Sequence, residues 1–88
     1  MKITLEQASA AILRLRPYGL YCLILYGVVE RGYSEHDLDV LVASSSTDDE
    51  MKEVGRRLSA ELGYFPVEVN RFVNGRREYF VYPVIQDT

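Results

Sequence analysis

The sequence is poor in cysteine, in long apolar runs and in positive charge, and each shortage excludes something. One cysteine closes no disulfide within a chain, so no covalent framework holds the fold, and a reducing cytoplasm is the expected setting. That cysteine, Cys22, stands in the apolar run 20–26 (LYCLILY), where it reads as a small buried hydrophobe with no neighbouring cation to activate it. The opening residues MKITLEQASAAILRLR carry Glu6, Gln7 and Arg14 and have no long apolar stretch. They read as neither a signal peptide nor a membrane span, and no membrane association is expected. Ten Lys and Arg stand against thirteen Asp and Glu, a formal net charge of −3, which argues against a nucleic-acid-wrapping protein on electrostatic grounds. The pairs Arg56-Arg57 and Arg76-Arg77 leave room for a local basic patch. Repeats and linkers are also lacking, and the only compositional bias is the short SSST run at 44–47.

What remains is an ordinary globular composition, 48% hydrophobic and 26% charged. With 88 residues it reads as one domain, 1–88, with a single modest core. Thr4 and Gln7 form a capping-box pattern, and Leu5, Ala8, Ile12 and Leu15 then make one helical stripe that Pro17 and Gly19 end. The run 20–26 is apolar at every position, as a strand buried on both faces in mid-sheet would be. Residues 37–43 (DLDVLVA) read as a second strand, with Leu38, Val40 and Val42 on one face and Asp37, Asp39 and Leu41 on the other. Thr47 and Glu50 repeat the capping box, before a second long helix whose stripe is Met51, Val54, Leu58 and Leu62 and which Gly63 closes. Segments 65–73 and 76–84 flank Asn74-Gly75, the strongest two-residue hairpin signal. The order α-β-β-α-β-β predicts an α/β (α+β) domain, a mixed sheet of about four strands with two main helices.

The chemistry is concentrated between Tyr26 and Val42, YGVVERGYSEHDLDVLV. Asp37 and Asp39, two apart on a strand, share a face, and two such anions repel unless they share a proton or a cation. Carboxylate oxygens suit Mg²⁺. Taken alone, Asp-x-Asp on a half-buried strand is more often a solvated face than a site. Two features weigh against that. Gly27 and Gly32 bound a loop whose backbone N–H groups could approach phosphate, and Glu68, between Val67 and Val69, turns toward the face of the aspartates when the valines turn to the core.

The segment resembles the signature of the DNA polymerase β-like nucleotidyltransferase superfamily. The match runs Gly27-Val28-Val29-Glu30-Arg31-Gly32, then Ser34-Glu35-His36-Asp37-Leu38-Asp39-Val40, and it is most similar to the minimal MNT-like members. The resemblance covers roughly residues 20–69 and implies a metal-dependent transferase moving a nucleoside monophosphate, AMP from ATP, to a hydroxyl. By it Asp37 and Asp39 hold the metals, Mg²⁺ or Mn²⁺, and Glu68 is the third acid, also a ligand, that helps deprotonate the acceptor. Gly27, Val28, Arg31 and Gly32 would hold the triphosphate. A HEPN-type partner protein, an antitoxin role and self-association in the cytoplasm belong to the same expectation.

The chain departs from that pattern in three places. Val28 replaces a serine whose hydroxyl donates to phosphate, a bond worth about 1.5–3 kcal/mol. Glu68 replaces the commoner Asp, and His36 stands where a serine is frequent, although a surface loop histidine needs no special role. No second domain is expected to complete the nucleotide cleft, which favours a partner or a second copy. In the last strand Tyr79 and Val81 alternate with Phe80 and Tyr82, so both faces are apolar. Three readings stay open: an active transferase, a degenerate relative that keeps the fold and acts by nucleotide or protein binding, and a small α+β binding module.

Overall fold

A computed structural model describes residues 2–83. They run β1 (Ile3–Thr4), α1 (Leu5–Leu13), a 3₁₀ turn (Arg16–Tyr18), β2 (Leu23–Ile24), α2 (Gly27–Arg31), β3 (Tyr33–Ser34), β4 (Leu38–Leu41), α3 (Asp48–Glu61), β5 (Val67–Val73) and β6 (Arg76–Tyr82). The domain is α+β, with the two main helices where their sequences place them. Both capping boxes form: Thr4 with Gln7 at α1 and Thr47 with Glu50 at α3. Each cap stabilises its helix by about 1 kcal/mol.

The main sheet has the order β2-β4-β5-β6, with β4 and β5 parallel and the outer pairs antiparallel; β1 and β3 form a separate two-stranded ribbon. Leu38, Val40, Val67 and Val69 point to one face and meet Ala8, Ala11 and Leu15 of the α1 region and Met51, Val54 and Leu58 of α3. Truncating any of the buried leucines to alanine would cost about 2–5 kcal/mol. The hairpin closes through Asn74 (φ 52°) and Gly75 (φ 77°), the two positive values that a two-residue turn with the right twist requires. Its second strand, read from sequence over 76–84, is β6 as far as Tyr82; Val84 lies outside the described residues.

The run 20–26 is not the central strand that its composition predicts. Only Leu23–Ile24 pairs, at the edge of the sheet and against β4 alone. Among the described residues helices cover one face only, so Ile24 and Cys22 pack against the core while Leu23 is 67% exposed. An apolar run is ambiguous in this way because composition does not say how many neighbours a strand has.

In β6, Phe80 and Tyr82 turn toward α3, and a methyl added at Gly55 would collide with the Tyr82 ring. Glycine there is what lets the helix lie close to the strand. Tyr79 and Val81 turn the other way and stay exposed, as do Leu23 and Phe72. One face of the sheet is therefore the core, and the other has no covering element among the described residues. No helix among those residues is long and apolar enough to cross a membrane.

Candidate metal centre

The uncovered face carries the acids, and the pleat puts them there. Leu38 and Val40 are fully buried, so Asp37 and Asp39 project oppositely. The Ser34 hydroxyl donates to the Asp37 carbonyl and Leu38 N donates to Pro66 O at 2.8 Å, which fixes the turn where β4 begins. Asp39 then falls in register with Glu68 across the parallel pair, and Glu68 lies between the buried Val67 and Val69. One carboxylate oxygen from each of Asp37, Asp39 and Glu68 lies within 4.8 Å of the others.

This is an electrostatically unbalanced arrangement. Burial pushes the Asp39 carboxyl above the usual carboxylate range, the Asp37 charge adds to the rise, and Arg77 opposes it. Asp39 Oδ1 is buried and has no hydrogen-bond partner, which is costly for an acceptor of this kind. Three closely spaced carboxylates, with an unpartnered buried oxygen on Asp39, fit a divalent cation of the Mg²⁺ or Mn²⁺ type.

Two residues of the site are not assigned to it by the sequence, although Arg77 belongs to one of the arginine pairs noted there. Arg77 on β6 forms an ion pair with Glu68. Its Nε donates to Asn70 Oδ1 at 2.6 Å, and its guanidinium lies 4.3 Å from the centre of the Tyr79 ring. Asn70 is only 2% exposed, and its Nδ2 donates to Val40 O at 3.1 Å and to Glu68 O at 3.3 Å. A buried amide thus ties β4 and β5 together and presents its oxygen to Arg77. The hairpin register carried the signal: with Asn74-Gly75 as the turn, Phe72 faces Arg77, in phase with Glu68 and Asn70.

The glycine-bounded segment is a short helix, not a loop. Val29 N and Glu30 N both donate to Tyr26 O, at 2.8 and 3.1 Å, and Gly32 closes the turn through Val28 O. Tyr26 enters it at φ 39° and ψ −111°, a strained backbone beside the acid face. The Val28 side chain is in the core, 3% exposed, so this position offers a phosphate its backbone only. The Arg31 guanidinium folds back beside Gly27 and lies 5.9 Å from the Tyr33 ring centre. His36 is exposed, as a surface loop histidine should be.

Beside the acids a small cavity of about 140 Å³ is lined by Leu25, Tyr26, Asp39, Asn70, Phe72 and Arg77. A wider cleft, about 590 Å³, lies on the helical side between Tyr18, Arg57 and Glu61. Its arginines are already engaged: Arg14 with Glu61, and Arg56 and Arg57 with Glu53. The smaller cavity is the one that meets the unbalanced charge. No family model, curated protein or solved structure matches this chain.

Proposed function

We propose that the chain is a metal-dependent nucleotidyltransferase of minimal, MNT-like type, transferring a nucleoside monophosphate, AMP from ATP, to a hydroxyl. The observation that carries this reading is the convergence of Asp37, Asp39 and Glu68, with oxygens within 4.8 Å, on the sheet face that no helix covers among the described residues. Those three residues would hold Mg²⁺ or Mn²⁺, which when bound supplies neutralisation of phosphate charge and a more acidic acceptor hydroxyl. The acceptor oxygen bonds to the α-phosphorus, the bond to the β-phosphate oxygen breaks, and pyrophosphate leaves. Glu68 takes the hydroxyl proton. The backbone from Gly27 to Gly32, with Arg31, borders the triphosphate. The open face needs a second surface to exclude water, which a HEPN-type partner or a second copy of the chain would supply, with the domain acting as an antitoxin in the cytoplasm.

A second reading is favoured by the Glu68–Arg77 ion pair, which already satisfies one of the three acids. In that reading the domain keeps the fold and works through nucleotide or protein contacts without turnover. The two are separated by incubating the protein and a co-purified partner with each labelled nucleoside triphosphate and Mg²⁺. A nucleotide-sized mass increase on the partner, lost in Asp39→Asn, is the result expected of the enzyme; binding of nucleotide with no label transferred is the result expected of the degenerate form.

A further inference from the structure

We infer that Arg77 is an exchangeable counter-cation of the acid site: it neutralises Glu68 until a divalent ion takes that carboxylate, and then pairs with the phosphate of the incoming substrate. The inference rests on the metal-site reading above and names a regulator and substrate ligand of that same site.

Three contacts hold the guanidinium in place: Glu68, the Asn70 oxygen at 2.6 Å and the Tyr79 ring at 4.3 Å. Only the first of them competes with a metal. Asn70 and Tyr79 remain to hold Arg77 at the site once Glu68 has turned to a cation, because the buried Asn70 amide is fixed by Val40 and Glu68 backbone oxygens. Arginine does not lose its proton, so the charge released from Glu68 has to find another anion. Its planar fork matches phosphate oxygens, and Arg77 lines the cavity that adjoins Asp39. The side chain is 47% exposed, so the swing requires no opening of the core.

The charge balance points the same way. Three carboxylates against one guanidinium leave a surplus of negative charge that one divalent ion cancels. The metal-loaded site is then close to neutral and accepts a polyphosphate without repelling it, with Arg77 as the one cationic side chain in contact with these acids among the described residues.

The test is titration of Mn²⁺ into wild type, Arg77→Gln, Arg77→Lys and Arg76→Gln, followed by tripolyphosphate into each Mn²⁺-saturated protein. Arg77→Gln should bind Mn²⁺ about fivefold tighter, the scale of losing one partly exposed competing ion pair. It should bind tripolyphosphate about tenfold more weakly, the scale of losing charged hydrogen bonds. Arg77→Lys should keep wild-type Mn²⁺ affinity, and Arg76→Gln, with the same loss of charge one residue away, should match wild type in both titrations. Unchanged or weaker Mn²⁺ binding by folded Arg77→Gln, or unchanged tripolyphosphate binding, overturns the exchange and leaves the metal site standing. If neither wild type nor Arg77→Gln binds Mn²⁺, the metal site itself fails and the exchange fails with it.

Discussion

Asp39 and Glu68 are register partners across the parallel pair of β4 and β5. Neighbouring strands lie about 4.8 Å apart, so two carboxylates on one face at the same level are held together by the ladder itself. The backbone register thus sets both side chains at one level on the acid face.

The first prediction uses that proximity. Folding raises the Asp39 carboxyl's pKa, so the native state penalises its ionised form. The contribution of this group to stability is therefore greatest at acid pH and is lost as pH rises through the folded value. Asp39→Asn should raise metal-free stability at neutral pH by about 0.5–1 kcal/mol, allowing for solvent screening, or roughly 2–8 °C in melting. Mn²⁺ should stabilise wild type and leave the variant unmoved. Melting curves with and without Mn²⁺ check both, and equal stabilisation of the two proteins would put the ion elsewhere.

Val28→Ser is the second. The resemblance read from the sequence would put a phosphate-donating serine at this position, yet here the side chain packs in the core. The substitution should cost about 1–2 kcal/mol of stability, through lost packing and a buried hydroxyl. It should bring no gain in ATP affinity. Denaturant unfolding and calorimetry with Mg²⁺ and ATP measure the two quantities, and a tenfold tighter complex would show that α2 rearranges to bring residue 28 to the phosphate.

The third concerns self-association. Leu23, Phe72, Tyr79 and Val81 are exposed on the face that carries the acids. A face of this kind is a natural two-fold interface, and the protein should sediment as a dimer at micromolar concentration. Leu23→Lys combined with Val81→Lys should shift it to monomer with little change in melting temperature. A wild-type monomer in the same experiment removes the interface.

The fourth is chemical. Burial pushes the Cys22 thiol up to about 12, against 9.0 for the free group. At pH 8 the native thiolate is then rarer by roughly a thousandfold, and alkylation by iodoacetamide should slow by that order relative to protein in guanidinium. A raised thiol pKa also means that stability falls as pH climbs past the unfolded value. Fast labelling of the folded protein at pH 8 would show that the edge strand opens.

Signals that are local and periodic were legible in the sequence. Both capping boxes, the Asn74-Gly75 turn and the outward phase of Asp37, Asp39 and Glu68 follow from spacing alone, and each is found where it was expected. Neighbour relations were not legible. Residues 20–26 are ambiguous because an edge strand and a central one can share a composition, and Gly27–Arg31 because two bounding glycines fit a short helix as well as a loop. Arg77 lay between these cases. Its place on the acid face is fixed by the turn and by alternation, but only once the hairpin register is counted back from Gly75 to Phe72.

The parallel pairing of β4 and β5 also dictates when the acid site can exist during synthesis. Parallel strands need a crossover, and here it is the whole of α3. On the ribosome, a nascent chain that has emerged as far as Asp39 carries two of the acids with no third and no neighbouring strand to hold them. Glu68 joins only when β5 has been made and docked, a contact of long sequence separation that forms late for entropic reasons. A chain halted before β5 carries only two loosely tethered carboxylates, so if the three acids hold a divalent ion as proposed, its capture would mark a polypeptide whose translation has passed Glu68 and whose crossover has closed.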